Sequence, residues 1–353
     1  MWDSRLLLAS ADRPRARAID AAPFILFRTA RLAWHELMAS GFTLPDGYIP
    51  MTQVLTQRGP TLVESVEMPW LGLGTFRVKG AEAEEAVTTA LGCGYRHIDT
   101  ATCYDNERAV GKAVAQWREG RDLPVFLTTK VQPRDMRSAH TVMSAFERSL
   151  QQLGVDKVAL YLLHWPGVSK RPPDSPAHSA ARREAWEVLE RLHLEGRAGA
   201  IGVSNFTQAH LEDLLYGEGA MGGPLRVRVV PHVNQVECHP QYQQRRLRAF
   251  CRRLGIQLVA YSPFGVGELL SHPVVIDIAS RHQPRASPAA VLLRWALQQG
   301  IPTLPKSAAP ARIRENFEAT LSPDWEMSAS DLSLLHAMDI PHGKKTWDPH
   351  QIK

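Results

Sequence analysis

Cysteine is scarce: Cys93, Cys103, Cys238 and Cys251 are the only four in 353 residues, and no two form a Cys-x-x-Cys pair. That is too few for a disulfide scaffold and excludes a zinc ribbon or a dithiol redox motif. The four read as free thiols of a reducing compartment. Long apolar runs are also missing. No stretch reaches the ~18 uncharged apolar residues that a membrane helix needs, and mean hydropathy is −0.22. A soluble protein, placed in the cytoplasm and without a membrane partner, is the expectation. Neither sign of charge dominates, with 41 Lys and Arg against 36 Asp and Glu, a net charge of +5. The one local basic cluster, Arg245, Arg246, Arg248, Arg252 and Arg253, falls at helical spacing. It reads as a solvated helix face rather than an anion or nucleic-acid site, and no nucleic-acid partner is expected.

What is present is enough apolar sequence, 44% of the chain, to bury a large core. Residues 1–50 stand apart, with six arginines, no lysine, and apolar runs too short to settle into a period. They lack the longer apolar core and small-residue cleavage site of a secretory signal. Their arginine content is like that of a mitochondrial transit peptide, the alternative location, but Asp3, Asp12 and Asp20 interrupt it. The expected division is therefore an extension over 1–50, disordered or absent from the working protein, and one domain over 51–353.

From Leu71 onward, short strand-like runs alternate with helical stretches. Eight strands are expected: Leu71 to Phe76, Tyr95 to Asp99, Val125 to Lys130, Leu160 to Trp165, Ala200 to Asn205, Val233 to Glu237, Leu258 to Ser262 and Thr303 to Lys306. Helical composition separates them, as in Glu82 to Leu91, Ser138 to Leu153, Ala181 to Glu195, Arg245 to Leu254 and Pro288 to Gln298. Such alternation means a parallel α/β fold. An open dinucleotide-binding sheet needs Gly-x-Gly-x-x-Gly in its first turn, and the nearest run, Gly72-Leu73-Gly74-Thr75-Phe76-Arg77, ends in arginine. A closed (β/α)8 barrel of the TIM type fits better, and it places chemistry at the C-terminal ends of the strands.

Polar residues gather at those ends: Asp99, Lys130, His164, Ser204 with Asn205, Gln235, Tyr261, and Lys306 with Ser307. Tyr104 lies in the loop after Asp99. To exchange a proton near neutrality, a phenol must titrate roughly 2 to 3 pH units lower, about 3 to 4 kcal/mol. An ammonium ~4 Å away at an effective dielectric of ~20 supplies about 4 kcal/mol, and Lys130 is the candidate, kept protonated by Asp99. His164 would be a neutral hydrogen-bond partner for a substrate oxygen. The group suits protonation of a carbonyl oxygen while something else delivers hydride. A metal-dependent hydrolase built on His97, Asp99, His164 and His239 is the rival from another class, but it leaves the lysine and tyrosine without work.

The run Gly94-Tyr95-Arg96-His97-Ile98-Asp99-Thr100-Ala101 with Tyr104, Asn106 and Glu107 resembles the signature of the aldo-keto reductase superfamily. So do Gly199 to Phe206, Val233 to Pro240, Ala260 to Pro263, and Pro305-Lys306-Ser307 followed by Arg312, Glu315 and Asn316. The resemblance runs from about Met68 to the C-terminus. It implies a barrel that binds NADPH and reduces aldehydes, and ketones with them, through a tetrad of Asp99, Tyr104, Lys130 and His164. It further implies that Ser204, Asn205 and Gln235 hold the nicotinamide carboxamide and that Tyr261 stacks on its ring, with Thr75, Ser262 and Phe264 also at the cofactor. Lys306, Ser307 and Arg312 would grip a 2'-phosphate, making NADPH preferred over NADH, with Glu315 and Asn316 near the adenine. By the same matching, Phe76, Cys103, Gln132 and Trp165 wall the substrate pocket with His164, Gln132 standing where family members often have tryptophan. A monomer is the family's commonest form. The short segment after Tyr261 implies an open cofactor cleft with fast NADP release. The short tail from Asp339 implies a less enclosed substrate mouth. The alternative on the same barrel is an NADPH-binding regulatory protein with weak turnover.

Overall fold

The computed structural model describes residues 51–57, 63–121, 123–217, 219, 223–282, 284, 286–322 and 324–353. The readings of residues 1–50 fall outside them. The described chain opens with an antiparallel hairpin, β1 (Met51–Gln57) and β2 (Val63–Pro69), in a register that sets Met51 opposite Pro69. Eight parallel strands follow, hydrogen-bonded in chain order: β3 (Leu73–Gly74), β4 (His97–Asp99), β5 (Phe126–Val131), β6 (Val158–Leu163), β7 (Ala198–Ser204), β8 (Val233–Glu237), β9 (Gln257–Tyr261) and β10 (Thr303–Leu304). The sheet closes on itself. Leu71 bridges Thr303 and Gly74 bridges Lys306, while Gly74 N donates to Pro305 O at 2.9 Å. The expected barrel is therefore the observed one. Gly72 and Gly74 lie at its seam rather than in a phosphate loop, and a Cβ on Gly72 would fall on the side chains of Leu304 and His97.

Between the strands run α1 (Gly80–Gly92), α2 (Glu107–Arg118), α3 (Ala139–Leu153), α4 (Ala177–Leu194), α5 (Gln208–Tyr216) and α6 (Arg245–Arg253). They continue with α7 (Pro273–Arg281), α8 (Pro288–Gln298), α9 (Pro310–Leu321) and α10 (Ala329–His336). Local chemistry fixes their ends. Ser138 and Thr141 form a capping box at the start of α3, and Gly154, at φ 65°, ends it in the left-handed region that favours glycine. Ser287 caps α8, whose first residue is proline, so the missing N–H costs no helical bond.

Alternation along the strands produces two cores. Leu160 and Leu162 point into the barrel with Phe126, Ala200, Val233, Val259 and Leu304, while Tyr161 and Leu163 point outward to the helices. Met68 from the hairpin joins the inner set, fully buried, and plugs the N-terminal mouth. Truncating an inner leucine such as Leu162 to alanine would cost about 2 to 5 kcal/mol. Gly202 in β7 is glycine because any Cβ there would collide with the carbonyl oxygen of Val233 in β8. Among the described residues no helix is long and apolar enough to cross a membrane.

Candidate active site

The C-terminal mouth collects the polar residues. Asp99 ends β4, Lys130 is the penultimate residue of β5, His164 follows β6, Ser204 ends β7, Gln235 lies in β8 and Tyr261 ends β9. Tyr104 closes a short 3-10 turn, Thr102–Tyr104. Buried Asn106 fixes that turn, donating to Thr75 O at 2.9 Å and Val78 O at 2.8 Å and accepting from Thr100 Oγ1 at 2.6 Å. Thr102 Oγ1 ties the other end to Lys130 O at 2.9 Å.

Lys130 is 0% exposed. Its Nζ lies 2.6 Å from Asp99 Oδ1 and donates to Thr100 O at 2.9 Å. The second carboxylate oxygen of Asp99 accepts from Gln235 Nε2 at 2.8 Å. A buried ion pair of this kind survives desolvation because its remaining lone pairs are satisfied. Lys130 Nζ sits 5.2 Å from the centroid of the Tyr104 ring, so the lysine is placed beside the phenol as expected. The electrostatic outcome differs from the expectation. Burial first, then the charges of Asp99, Cys103 and Tyr261, push the Tyr104 phenol well above its ordinary value. Asp99 and the Thr100 carbonyl hold the Lys130 ammonium, and burial decides the phenol, which is left a protonated donor at neutral pH. Burial and the neighbouring Lys130 push His164 down to about 3, so its ring is neutral. Its Nε2 stands 3.5 Å from Tyr104 OH, too far for a firm bond, and both groups remain able to reach a third oxygen.

Next to this cluster lies a shelf of amides and hydroxyls. Asn205 adopts φ 64°, tolerable for asparagine, and turns its Nδ2 toward His164 O at 3.0 Å and Ser204 Oγ at 3.1 Å. Ser204 Oγ donates to Gln235 O at 2.8 Å, and Tyr261 OH lies 2.7 Å from Asn205 Oδ1. Ser262, at φ 49°, turns the chain toward half-buried Phe264. From there short 3-10 turns, Gly265–Ser271, lead directly into α7, matching the short segment read from the sequence. Thr75 is brought to the same region with its hydroxyl 2.9 Å from Asp99 O.

Across the seam, Lys306 and Arg312 are exposed, and their side chains have no ion-pair partner among the described residues. Arg312 stands in the first turn of α9, and Ser307 Oγ accepts from Ala309 N at 3.1 Å just before it. Glu315 is exposed and Asn316 is buried on the same helix. Two exposed cations, a hydroxyl and a helix N-terminus in this stretch are donors of the kind a phosphate dianion takes.

The expected substrate walls are only partly as foreseen. Phe76 packs tilted against Tyr104, their centroids 5.1 Å apart, and Cys103 Sγ lies 3.5 Å from His164 Nδ1. Burial pushes the Cys103 thiol up, so it is held as the thiol rather than the thiolate at neutral pH. Trp165 is half-buried beside His164. Gln132 donates to Asp135 Oδ2 at 2.8 Å, so its amide is committed within its own loop. The short tail still reaches the substrate mouth. The tail crosses it: Thr346 Oγ1 is 3.0 Å from Tyr261 OH, and Trp347, 68% exposed, meets Phe76 at 6.1 Å. Sequence reasoning missed Thr346, Trp347 and Glu237, the buried carboxylate that holds the tail. A fully buried acid at the end of β8 was the one signal available. The metal reading fares worse: among the described residues no three His, Cys, Asp or Glu side chains are placed to hold an ion. His97 bonds Thr128 inside the barrel, and His239 pairs with Glu237.

Comparison with known proteins agrees with this architecture. A model of the Aldo/keto reductase family matches residues 70–332. A protein of Bacillus subtilis named glyoxal reductase is 42% identical over 279 residues, 79% of this chain and 91% of its own. A 9,11-endoperoxide prostaglandin H2 reductase of Trypanosoma cruzi is 44% identical over 289 residues, 81% of this chain and 92% of its own. Among solved structures, a variant of Gox0644 in complex with NADPH is similar at a TM-score of 0.72 and 32% identity, over 86% of this chain and 99% of that one. On the family match and these identities, the chain belongs to the aldo/keto reductase family and is an NADP-dependent oxidoreductase.

Proposed function

We propose that the protein reduces small aldehydes, and ketones with them, to alcohols, with NADPH preferred over NADH and Tyr104 as the proton donor. The observation that carries this reading is the meeting of a protonated Tyr104, a neutral His164 and a buried Lys130–Asp99 pair at one mouth of the barrel. Bound NADPH supplies the hydride. Ser204, Asn205 and Gln235 hold its carboxamide, Tyr261 takes one face of its ring, and Thr75, Ser262 and Phe264 line its path toward the seam. Lys306, Ser307 and Arg312 hold the 2'-phosphate, with Glu315 and Asn316 beside the adenine.

The residues at the reacting carbonyl divide the work. His164 donates to the carbonyl oxygen from a neutral ring and aligns it with Tyr104. As negative charge grows on that oxygen, Tyr104 gives up its proton, and the nearby Lys130 cation offsets the charge left on the phenolate. Asp99 keeps Lys130 in place. Phe76, Trp165 and Cys103 line the substrate side of the mouth. Short dicarbonyls head the candidate substrates because a relative is named glyoxal reductase. Lipid-derived and sugar aldehydes, keto-steroids and prostaglandins follow.

The working unit in this reading is the barrel of residues 51–353. The test measures NADPH oxidation with a panel of aldehydes and ketones, for the full chain, for a chain beginning at Met51, and for Tyr104→Phe. Tyr104→Phe should lower turnover by about 10²- to 10⁴-fold with NADPH binding retained. Starting at Met51 should change neither. Undiminished turnover in Tyr104→Phe would refute the assignment of the proton donor.

A further inference from the structure

The tail is not held across the mouth by a packed core. A cleft of about 900 Å³ lies beneath it, lined by residues that include Asn205, Glu237, Tyr242 and Arg245. Its two ends are tied elsewhere, by Arg245 to Asp339 and by Arg182 and His210 to the last two carbonyls, and Lys345 Nζ pairs with Glu268 at 2.8 Å, but the backbone at its middle is held by one carboxylate. Glu237, the last residue of β8, is 0% exposed and accepts from Lys344 Nζ at 2.8 Å, Lys345 N at 2.6 Å, Thr346 N at 3.0 Å and Thr346 Oγ1, and it pairs with His239 Nε2 at 3.1 Å. Burial alone would raise its pKa, but the bonds from His239, Lys344 and Thr346 outweigh that and hold it well below the usual carboxylate range.

Proton counting then links the tail to the shelf. The hydroxyl proton of Thr346 goes to Glu237, which can only accept, and Lys344 donates to the same Thr346 oxygen at 3.1 Å. Tyr261 therefore has one proton and two acceptors in reach, Asn205 Oδ1 at 2.7 Å and Thr346 Oγ1 at 3.0 Å. In this structure the shorter contact is to Asn205. A carboxamide N–H donating to Asn205 Oδ1 competes for that oxygen and favours turning the Tyr261 proton to Thr346. The same stretch of tail carries Trp347 onto Phe76, which rests on Tyr104.

We propose that Glu237 and Thr346 are positioning residues that couple the tail to the nicotinamide seat: cofactor at Asn205 hands the Tyr261 proton to Thr346, which tightens the tail and completes the substrate wall at Trp347. The proposal rests on the reading of Asn205 and Tyr261 as nicotinamide contacts. By linkage, whatever weakens the Tyr261–Thr346 bond weakens cofactor binding by the same factor.

The test uses the full chain, Thr346→Val and Thr346→Ser, with NADPH affinity followed by quenching of protein fluorescence and tail order by amide hydrogen exchange. Thr346→Val should bind NADPH about five- to tenfold more weakly, the worth of one hydrogen bond, and Thr346→Ser should recover most of the loss. NADPH should slow exchange at Lys345 and Thr346 in the native chain and in Thr346→Ser, but not in Thr346→Val. A change that is only structural would shift the melting temperature and leave the NADPH-dependent slowing intact, and that result overturns the coupling. Wild-type NADPH affinity in Thr346→Val does the same. A native chain that binds no NADPH overturns the cofactor reading and the coupling together. Glu237→Gln separates the latch from both, because it should speed exchange at Lys345 and Thr346 in cofactor-free protein, and unchanged exchange there refutes the latch itself.

Discussion

Acid should unfold this protein through its buried histidines. Four rings are held neutral chiefly by burial: His97 and His210 are pushed from 6.5 down to about 4, and His164 and His232 down to about 3. In each, the folded pKa is depressed. The unfolded chain therefore binds the proton first as pH falls below ~6.5, and stability drops until the folded ring also titrates. Integrated from ~pH 7 to ~pH 5, each ring removes about 2 kcal/mol, and four remove roughly 7 to 8 kcal/mol. That compares with a total stability of about 5 to 15 kcal/mol for a typical domain. Glu107 and Glu190, raised by burial, act with the opposite sign, but they are two carboxyls against four rings. Denaturant titrations at stepped pH should show about four protons taken up on unfolding near pH ~5.5, and His232→Gln should remove about a quarter of that slope. Equal stability at ~pH 7 and ~pH 5 would refute the account.

Because His164 is neutral down to about 3 and the Tyr104 phenol is raised, kcat/KM should show no histidine limb near 6.5. A limb there that is lost in His164→Gln would contradict the neutral ring. Arg312→Ala should weaken NADPH binding by about tenfold to a hundredfold while leaving NADH affinity unchanged, as removal of a charged phosphate contact does. Equal losses for the two cofactors would place the 2'-phosphate elsewhere. Gly111 in α2 leaves no space for a Cβ, which would strike the backbone of Leu153 in α3. Gly111→Ala should cost about 1 to 3 kcal/mol in urea unfolding without altering KM, and a neutral result would show that the two helices separate freely.

The barrel was legible because its signals are local and repeated. Apolar strand runs, glycine stops such as Gly154 and polar strand ends each recur several times along the chain. Strand bounds were less so: Leu71 to Phe76 was expected and Leu73–Gly74 is observed, because the barrel's seam strands pair over only a few residues. Asp99, Tyr104, Lys130 and His164 could be named from strand-end position and motif, and the structure brings them together. The protonation of Tyr104 could not, since it depends on how deeply the phenol is buried and on its distance from Asp99, a matter of ångströms rather than spacing. Nor could the tail. Glu237 and Thr346 are separated by more than a hundred residues, and no periodicity connects a carboxylate in a strand to a threonine near the C-terminus. Gln132 shows the same limit, since the turn of its amide to Asp135, a contact within its own loop, could not be read from its place in the sequence.

The hairpin that seals the lower mouth with Met68 has a consequence for how such a molecule can change. Foundation and workshop occupy opposite ends of one cylinder, joined only by strands whose inner faces are filled. Redrawing the loops and tail at the upper mouth leaves the lower seal untouched, so substrate range can drift or be redesigned while the scaffold keeps its margin of stability. The converse also holds: a hairpin exchanged for another of equal fit should be silent in the catalytic constants.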